Sequence, residues 1–571
     1  MTMSNNKTKY DVSLESEEQA ENCRIEICMV PMRDGVKLDT VVYLPEDNEK
    51  HHVVLVRSPY NPRDTVSLGG KDILEQGMIY IVQSCRGSSR SGGDFVPFKN
   101  ERKDAEDTFA WIRQQSWFGG RVAMTGGSYC GLTQWLGAIG DSPELVAITP
   151  GVSCSNIHDK LLIGGAFFLQ LHMHWGMSMY VRCVAKDAEI GDWDKENLAS
   201  HLPLLEIDEA AGLGRVDYWR DWLEKCDDQD YWEEGAINHN YEKITAPAYM
   251  YGGWYDFYNA GTVENFIGMR TRGGSEKARK FTRCVMGPWG HGGLKNPDIF
   301  GEENNLDRVH EMISLYRKNI LEAPDVDPLP DEPPMRYFVM GSNQWRESDC
   351  WPPEGVEEKC FYIHSNDCAN TRFGAGRLDC VKPGSETADT YIYDPRNPVP
   401  SRGGCFSSPG ENGCVDQRDV EERSDVLVYV SEELDSDIEI AGQVKVRLFA
   451  ATNSLDTDFT AKLVDIYPDG RVLNICDGII RARYRNGLFK PELLEPGEIY
   501  EYEIDCWHTA NRFLRGHRIG LDISSSNFPR FDRNPNTGHA LGVDAELRPA
   551  RQVIYHDSEH PSCVILPVTA E

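Results

Sequence analysis

The amino-acid sequence predicts an α/β protein that carries an inserted helical cap and a C-terminal β jelly-roll domain. Three observations lead to this prediction. Short apolar runs alternate with amphipathic helical runs over residues 23–155 and again over 243–352, which is typical of a parallel sheet. An aromatic-rich helical pattern separates these two parts at 156–242. Short strand-like runs divided by turns fill residues 353–571.

Length and composition exclude several classes of protein. The chain has 571 residues, more than one ordinary domain holds. Hydrophobic residues make up 40% of the chain, which is enough for large cores and argues against general disorder. The formal net charge of −32 repels nucleic-acid phosphates and anionic membrane surfaces, so we expect neither as a partner.

The N-terminal residues and the cysteines indicate the cellular setting. Residues 1–22 are polar and acidic and lack the apolar core of a secretory signal, so we expect a flexible tail there. The seventeen cysteines form no CxxC pair, which favours reduced thiols over a disulfide framework. The sequence shows no cluster of cysteines and histidines at zinc-ligand spacing. We therefore expect a cytoplasmic protein that needs no metal and no organic cofactor.

The first α/β part contains clear strand and helix patterns. The continuous β-branched runs in "HHVVLVRSPY" and "GMIYIVQSC" end in turn residues and predict buried strands. The segment "ERKDAEDTFAWIRQQSWF" predicts a helix, because Ala105, Phe109 and Ile112 share one face opposite charged residues. A further strand is predicted for "RVAMTGGS", followed by a helix in "YCGLTQWLGAIG".

The segment 156–242 interrupts this alternation. Its runs "LLIGGAFFLQLHMHWGMSMYVRCVAKD" and "RVDYWRDWLEKCDDQDYW" predict long helices without strands. Because α/β pieces bracket the segment on both sides, we interpret it as a cap over the edge of the sheet. After residue 353, runs such as "DVLVYVS" and "QVKVRLFAAT" alternate with turns rich in Gly, Pro, Asp and Asn, as in a β-sandwich or jelly roll.

The stretch "AMTGGSYCGLTQW" places Ser128 at the turn between a predicted strand and a predicted helix. Nucleophilic serines in such turns follow G-x-S-x-G, since small neighbours permit a strained turn that exposes the hydroxyl. Gly126 fits this pattern, but Cys130 occupies the last position and Gly131 follows it. A plain strand-to-helix connection is the alternative interpretation of this turn taken alone.

Two later residues favour the nucleophile. Asp256 follows the apolar run in "YMYGGWYDFY", and His291 follows the next run in "CVMGPWGH". Both stand at the carboxyl ends of predicted strands, where ligands meet open α/β sheets, and the order Ser, acid, His is that of a hydrolase triad. We therefore predict Ser128 as nucleophile, His291 as base and Asp256 as the residue that orients the imidazole.

An oxyanion hole requires two hydrogen-bond donors. The backbone N–H of Tyr129, next after the nucleophile, is one candidate. The hydroxyl of Tyr60, at a strand end in "VVLVRSPY", is the other, with simple packing as its alternative role. Three aromatic residues in segments expected to overhang Ser128 are the candidates for substrate binding: Trp175, Tyr258 and Phe406.

These motifs resemble the family of cocaine esterase-like and X-Pro dipeptidyl-peptidase-like serine hydrolases, which includes the α-amino-acid ester hydrolases. The resemblance covers nearly the whole chain and rests on "VRSPY", "RGSSRSGGDFVPF", "GGWYDFY", "GPWGH" and "SSSNFPRFDRN". It implies an α/β-hydrolase core with a helical cap and a C-terminal jelly roll. The family turn G-x-S-Y-x-G matches residues 126–131, so a glycine is not expected at Cys130.

The same resemblance assigns the triad to Ser128, Asp256 and His291, and the oxyanion hole to Tyr60 and the Tyr129 amide. The chain departs from the cocaine esterase branch in the cap at 156–242 and in the loop "SRGGCFSSPGENG". It also has Phe257 where that branch has a glycine. These differences predict a different acyl pocket and argue against cocaine as substrate. We expect the acids at 227, 228 and 230 to be solvated rather than to bind an ammonium group.

The combined evidence predicts a serine hydrolase that cleaves a carboxylic ester, or an amide, through an acyl-enzyme. Alternatives on the same triad are an X-Pro dipeptidyl-peptidase-like activity and an α-amino-acid ester hydrolase or acyltransferase. An alternative of another class is a non-catalytic ligand-binding protein that uses the jelly roll. The expected partner is a small-molecule ester or amide. The sequence leaves open the physiological substrate and the formation of a homodimer.

Overall fold

The computed structural model describes residues 23–60, 70–140, 142–185, 195–293, 297–301, 304, 306–405 and 412–570. The predicted tail at 1–22 and the pocket candidate Phe406 lie outside these residues. Two large sheets, one with ten strands and one with eleven, organise the described part of the chain.

The first part of the chain forms one half of the ten-stranded sheet. Its elements are β1 (Cys23–Pro31), β2 (Lys37–Pro45), β3 (His51–Ser58), α1 (Gly70–Glu75), β4 (Ile79–Ser84), α2 (Glu101–Ile112), β5 (Phe118–Gly127), α3 (Tyr129–Ala138) and β6 (Leu145–Gly151). The three strands and two helices predicted here are confirmed as β3, β4, β5, α2 and α3. Ala105, Phe109 and Ile112 are fully buried, as their helical spacing predicts.

The inserted segment consists of one helix of 15 residues, several shorter helices and a small hairpin. Its elements are α4 (Ile157–Leu161), β7 (Leu162–Ile163), β8 (Ala166–Phe167), α5 (Leu169–Cys183), α6 (Lys195–Ala199), α7 (Ile207–Ala210), α8 (Asp217–Glu224) and α9 (Gln229–Trp232), with one 3₁₀ turn before α7 and three after α9. The prediction of a long helix is confirmed by α5, and the prediction that the segment has no strands is wrong. β7 and β8 pair through a turn at Gly164 and Gly165, whose φ values of 56° and 85° favour glycine. A short apolar run does not distinguish strand from helix, which explains the error.

The second core part completes the ten-stranded sheet. Its elements are β9 (Tyr249–Tyr255), α10 (Asn259–Arg272), α11 (Glu276–Phe281), β10 (Arg283–Gly290), α12 (Pro297–Phe300), α13 (Leu306–Glu322), β11 (Met335–Val339) and β12 (Gln344–Ser348). The strand order is β1-β2-β4-β3-β5-β6-β9-β10-β11-β12. In this order, each strand from β4 to β11 runs parallel to the next one. The carboxyl ends of β3, β5, β9 and β10 therefore lie at one edge of the sheet.

The C-terminal part is built almost entirely of strands. Its elements are β13 (Glu357–His364), β14 (Gly376–Asp379), β15 (Asp389–Tyr393), α14 (Arg418–Glu421), β16 (Leu427–Ser431), β17 (Ile438–Thr452), β18 (Asp458–Ile466), β19 (Val472–Arg481), β20 (Tyr500–Phe513), β21 (Arg518–Ser524), β22 (Ala550–Tyr555) and β23 (Cys563–Val568). The long strand β17 pairs with β20 along one edge and with β22 and β23 along the other. This arrangement, with the parallel core and the cap, confirms the predicted fold class.

The C-terminal domain also contacts the region that leads to Asp256. The Tyr255 hydroxyl donates to the carbonyl of Asn474 at 2.9 Å, and the Asn259 amide donates to the carbonyl of His508 at 2.8 Å. Side chains of the core, the cap and the C-terminal domain share one apolar cluster. No helix in the described part of the chain has both the length and the apolarity needed to cross a bilayer.

Two buried carboxyl groups face each other between α14 and β21. Glu421 and Asp522 are 2% and 5% exposed, and the Asp522 oxygens have no hydrogen-bond partner among the described residues. Burial and the charge of Asp522 raise the pKa of Glu421, and burial raises the pKa of Asp522, while Lys462 opposes both shifts. The folded protein therefore retains a proton on this pair at pH values where unfolded carboxyl groups have lost it.

This pair predicts a pH-dependent stability difference. A carboxyl pKa raised by folding adds stability below the unfolded pKa of about 4, and that stability is lost as the pH rises through the folded pKa. We therefore expect the melting temperature of Glu421→Gln, relative to wild type, to increase as the pH rises from about 5 to about 9. The exposed Glu354→Gln is the control. Parallel pH profiles for wild type and Glu421→Gln would contradict the prediction.

Candidate active site

Ser128 lies at the turn between β5 and α3 with a strained backbone. Its φ of 58° and ψ of −125° are unusual for a residue other than glycine. The Ser128 N–H donates to the carbonyl of Gly151 at 3.0 Å, which ties the turn to β6. A strained strand-to-helix turn of this kind holds the serine side chain clear of the sheet.

Close contacts explain which neighbours of Ser128 must be glycine. A Cβ atom on Gly126, whose φ is 128°, would lie 2.6 Å from the Cβ of Cys130. A Cβ atom on Gly131 would lie 2.8 Å from the Cβ of Ser153 and 2.9 Å from the carbonyl oxygen of Gly151. The turn therefore requires glycine at 126 and 131 and accepts cysteine at 130. This is the physical reason for the departure from G-x-S-x-G.

His291 and Asp256 form a hydrogen-bonded chain with Ser128. His291 Nδ1 lies 2.8 Å from Asp256 Oδ2, and His291 Nε2 lies 3.2 Å from Ser128 Oγ. Asp256 is fully buried, and its second oxygen accepts from the Tyr258 N–H at 2.7 Å. With the proton on Nδ1, His291 donates to Asp256 and accepts from Ser128. The structure thus brings together three residues that span 163 positions of the sequence.

Two residues behind the imidazole were not among the predicted site residues. The Phe257 ring stacks on His291 with ring centroids 4.0 Å apart. Lys160 donates to the Phe257 carbonyl at 2.6 Å, and its ammonium lies 4.3 Å from the centre of the same ring. Burial lowers the pKa of Lys160 well below its usual value, although the charge of Asp256 opposes this shift. No local sequence pattern identifies Lys160 as a site residue, because its contacts join the cap to a loop that is distant in the sequence.

Tyr60 and Trp175 contact each other directly. Tyr60 follows the end of β3, and its hydroxyl oxygen accepts from Trp175 Nε1 at 3.1 Å. Burial raises the pKa of Tyr60 to about 12, so its hydroxyl keeps its proton at neutral pH. Because the indole donates to this hydroxyl, the Tyr60 proton remains available for an acceptor other than Trp175.

The side chain of Tyr129 anchors the start of α3. Its hydroxyl donates to Glu101 Oε1 at 2.9 Å and accepts from the Phe98 N–H at 2.9 Å. Glu101 also lies 3.0 Å from Arg57 in a fully buried ion pair. Only the backbone N–H of Tyr129, and not its hydroxyl, is therefore available at the turn.

A cavity of about 430 Å³ opens over Ser128 and His291. Trp175 and Tyr258, two of the predicted pocket residues, line it, and Phe406 lies outside the described residues. Phe98 and Tyr129 stack on Trp175 with centroid distances of 5.6 and 5.7 Å, which gives one wall a flat aromatic surface. Sequence reasoning missed Phe98, since no helical or strand pattern contains it.

The acids at 227, 228 and 230 do not line this cavity. Asp227 accepts from the Tyr484 hydroxyl at 2.7 Å, in the C-terminal domain. Asp228 caps α9 by accepting from the Tyr231 N–H. Among the lining residues that the structure describes, none has a carboxylate.

The parallel core, the cap and the Ser–His–Asp geometry define a serine hydrolase of the α/β-hydrolase class. Residues 34–293 match the profile of the X-Pro dipeptidyl-peptidase (S15) family. Residues 329–565 match its X-Pro dipeptidyl-peptidase C-terminal non-catalytic domain. The chain therefore belongs to the S15 X-Pro dipeptidyl-peptidase family.

Individual relatives support the same class. The cocaine esterase of Rhodococcus sp. (strain MB1 Bresler) is 36% identical, and the match covers 95% of this chain and 97% of that protein. An α-amino acid ester hydrolase of known structure is 25% identical over 99% of this chain and all of its own, with a TM-score of 0.82. An aminopeptidase from a Thaumarchaeota archaeon, at 24% identity with 96% and 97% coverage, shares the fold with a TM-score of 0.83. The predicted enzyme class, a serine ester hydrolase, is confirmed.

The close approach at Gly131 leads to a prediction. We expect Gly131→Ala to lower the melting temperature and to reduce kcat/KM at least about tenfold, because the added methyl group displaces α3 from Gly151 and moves Ser128. Thermal unfolding and steady-state kinetics on any ester that wild type cleaves measure both effects. Gly384→Ala, at a glycine with open space around its Cβ position, is the control. Wild-type kinetics for Gly131→Ala would contradict the proposed constraint.

Proposed function

We propose that the enzyme cleaves carboxylic esters through an acyl-enzyme formed on Ser128. The observation that carries this proposal is the hydrogen-bonded chain from Ser128 through His291 to the buried Asp256, which opens into the cavity. The Rhodococcus relative, named for its esterase activity, supports esters as the substrate class.

Each step follows from this geometry. Ser128 Oγ attacks the substrate carbonyl carbon while His291 Nε2 takes the hydroxyl proton, and Asp256 stabilises the imidazolium that forms. The tetrahedral intermediate collapses, and His291 returns the proton to the leaving alcohol. A water molecule then attacks the acyl-enzyme and loses a proton to His291. The second collapse returns this proton to Ser128 and releases the carboxylic acid.

The Tyr60 hydroxyl and the Tyr129 N–H are the proposed oxyanion donors. Tyr129 N–H stands at the first position of α3, where the helix dipole also favours negative charge. Trp175 supports Tyr60 in this role, because its indole N–H fills one acceptor site of the hydroxyl and orients the Tyr60 proton. Trp175 is thus both a pocket residue and a positioning residue.

The cavity favours esters over substrates with a free amine. An X-Pro dipeptidyl-peptidase-like or α-amino-acid ester hydrolase activity requires a carboxylate near the ammonium group of the substrate, and none lines the described part of the cavity. We also infer a cytoplasmic location, supported by free thiols at all seventeen cysteines.

The nucleophile assignment predicts that Ser128→Ala loses turnover while its melting temperature stays near that of wild type. Loss of a triad member typically removes about 10⁴-fold or more in kcat. A fluorophosphonate probe should label wild type at Ser128 and should not label the variant. The exposed Ser200→Ala is the control and should label fully. More than about a tenth of wild-type turnover in Ser128→Ala would overturn the assignment.

The oxyanion assignment predicts that Tyr60→Phe lowers kcat by about 10²- to 10³-fold with little change in KM, because the lost hydrogen bond is made mainly in the transition state. Trp175→Phe should lower kcat in the same direction but less, since it leaves the Tyr60 hydroxyl in place. The double variant should then be no slower than Tyr60→Phe alone, because both changes act through one hydroxyl. Unchanged kcat in Tyr60→Phe would show that Tyr60 only packs.

A further inference from the structure

One face of α5 forms a wall of the cavity. Leu171, Trp175, Ser178 and Arg182 all line the cavity, at spacings of four, three and four residues. This spacing places their side chains on one helical stripe. Arg182 follows Trp175 by seven positions, which corresponds to about 10 Å along the helix axis. The stripe therefore carries an exposed guanidinium about 10 Å from the indole that contacts Tyr60.

Arg182 differs from most arginines of this chain. It makes no hydrogen bond and no ion pair with any residue that the structure describes, although the chain holds 91 acidic against 59 basic residues. Many other arginines, such as Arg215 and Arg220 of the cap, pair with a carboxylate within 3 Å.

Arg182 is also the one permanently charged side chain among the described residues that line the cavity. No other arginine or lysine, and no aspartate or glutamate, stands among its described lining residues. His172 lines the same wall, but burial lowers its pKa to about 3, so it is neutral at physiological pH. The positive charge of Arg182 slightly opposes the effect of burial on the pKa of Tyr60, which lines the same cavity.

We propose that Arg182 binds an anionic group of the substrate, so that this enzyme prefers esters with a carboxylate remote from the scissile bond. The inference rests on the proposed ester hydrolysis at Ser128 and names its substrate class. A guanidinium binds a carboxylate through two parallel, charge-assisted hydrogen bonds, which are stronger than hydrogen bonds between neutral groups. The chain as a whole repels anions, and Arg182 supplies the local positive charge that an anionic substrate needs.

The test compares two matched pairs of esters. One pair carries the charge on the acyl side: mono-para-nitrophenyl adipate and its methyl ester. The other carries it on the leaving group: para-acetoxybenzoate and its methyl ester. We expect the kcat/KM of the anionic member to exceed that of its neutral partner by about tenfold in one pair. The pair that shows this preference also identifies the half of the ester that faces Arg182.

Three variants separate substrate binding from other roles of Arg182. In Arg182→Gln the preference should fall to about one or below, and Arg182→Lys should retain part of it, because lysine keeps the charge but not the two-pronged geometry. Arg215→Gln removes an exposed cap arginine outside the cavity and should keep the full preference. The preference of wild type should also weaken as the salt concentration rises.

Each remaining outcome counts against the inference. Equal or lower kcat/KM for the anionic member in both pairs overturns it. An equal loss on anionic and neutral esters in Arg182→Gln also overturns it, since Arg182 would then act through Tyr60. If wild type cleaves none of the four esters but the fluorophosphonate labels Ser128, the substrate class is wrong. If Ser128 is not labelled, the proposed function itself fails.

Discussion

The close approach of backbone segments at the turn between β5 and α3 is the constraint on which the site depends. α3 lies against β6 so tightly that Gly131 has no room for a Cβ atom beside Gly151. This contact holds Ser128 at a positive φ immediately before the first residue of α3, Tyr129. The buried pair of Arg57 and Glu101 secures the same helix start through the Tyr129 hydroxyl. The backbone strain at Ser128 is thus compensated by the close packing of α3 on β6 and by the buried ion pair.

The parallel order of the central strands explains how distant residues meet around this turn. Tyr60, Ser128, Asp256 and His291 each follow a strand of the same sheet, and parallel strands deliver their carboxyl ends to one edge. The cap closes that edge with α5, whose Trp175 contacts Tyr60. The core therefore supplies the hydrogen-bonded Ser–His–Asp chain, and the cap supplies one wall of the cavity above it.

Sequence patterns predicted the features of the molecule that depend on residues close together in the sequence. Helix α2 has its apolar residues at helical spacing, and the positions of Asp256 and His291 follow from strand ends. The β7–β8 hairpin was missed because its apolar run lacks a distinctive period. Lys160 and the stacking of Phe257 on His291 were missed because they depend on contacts between separate segments. The hydrogen bond of Trp175 to Tyr60 spans 115 positions, which no local pattern encodes.

The contacts between β9 and the C-terminal strands bear on how this protein is made. Tyr255 and Asn259, which flank Asp256, are hydrogen-bonded to residues 474 and 508. A ribosome that has just finished the Ser128 turn must therefore extend the chain to residue 508 before both of these hydrogen bonds can form. The strands β22 and β23, which complete the pairing of β17, are synthesised later still. A nascent chain thus carries Ser128 long before the contacts that support the Asp256 region can form.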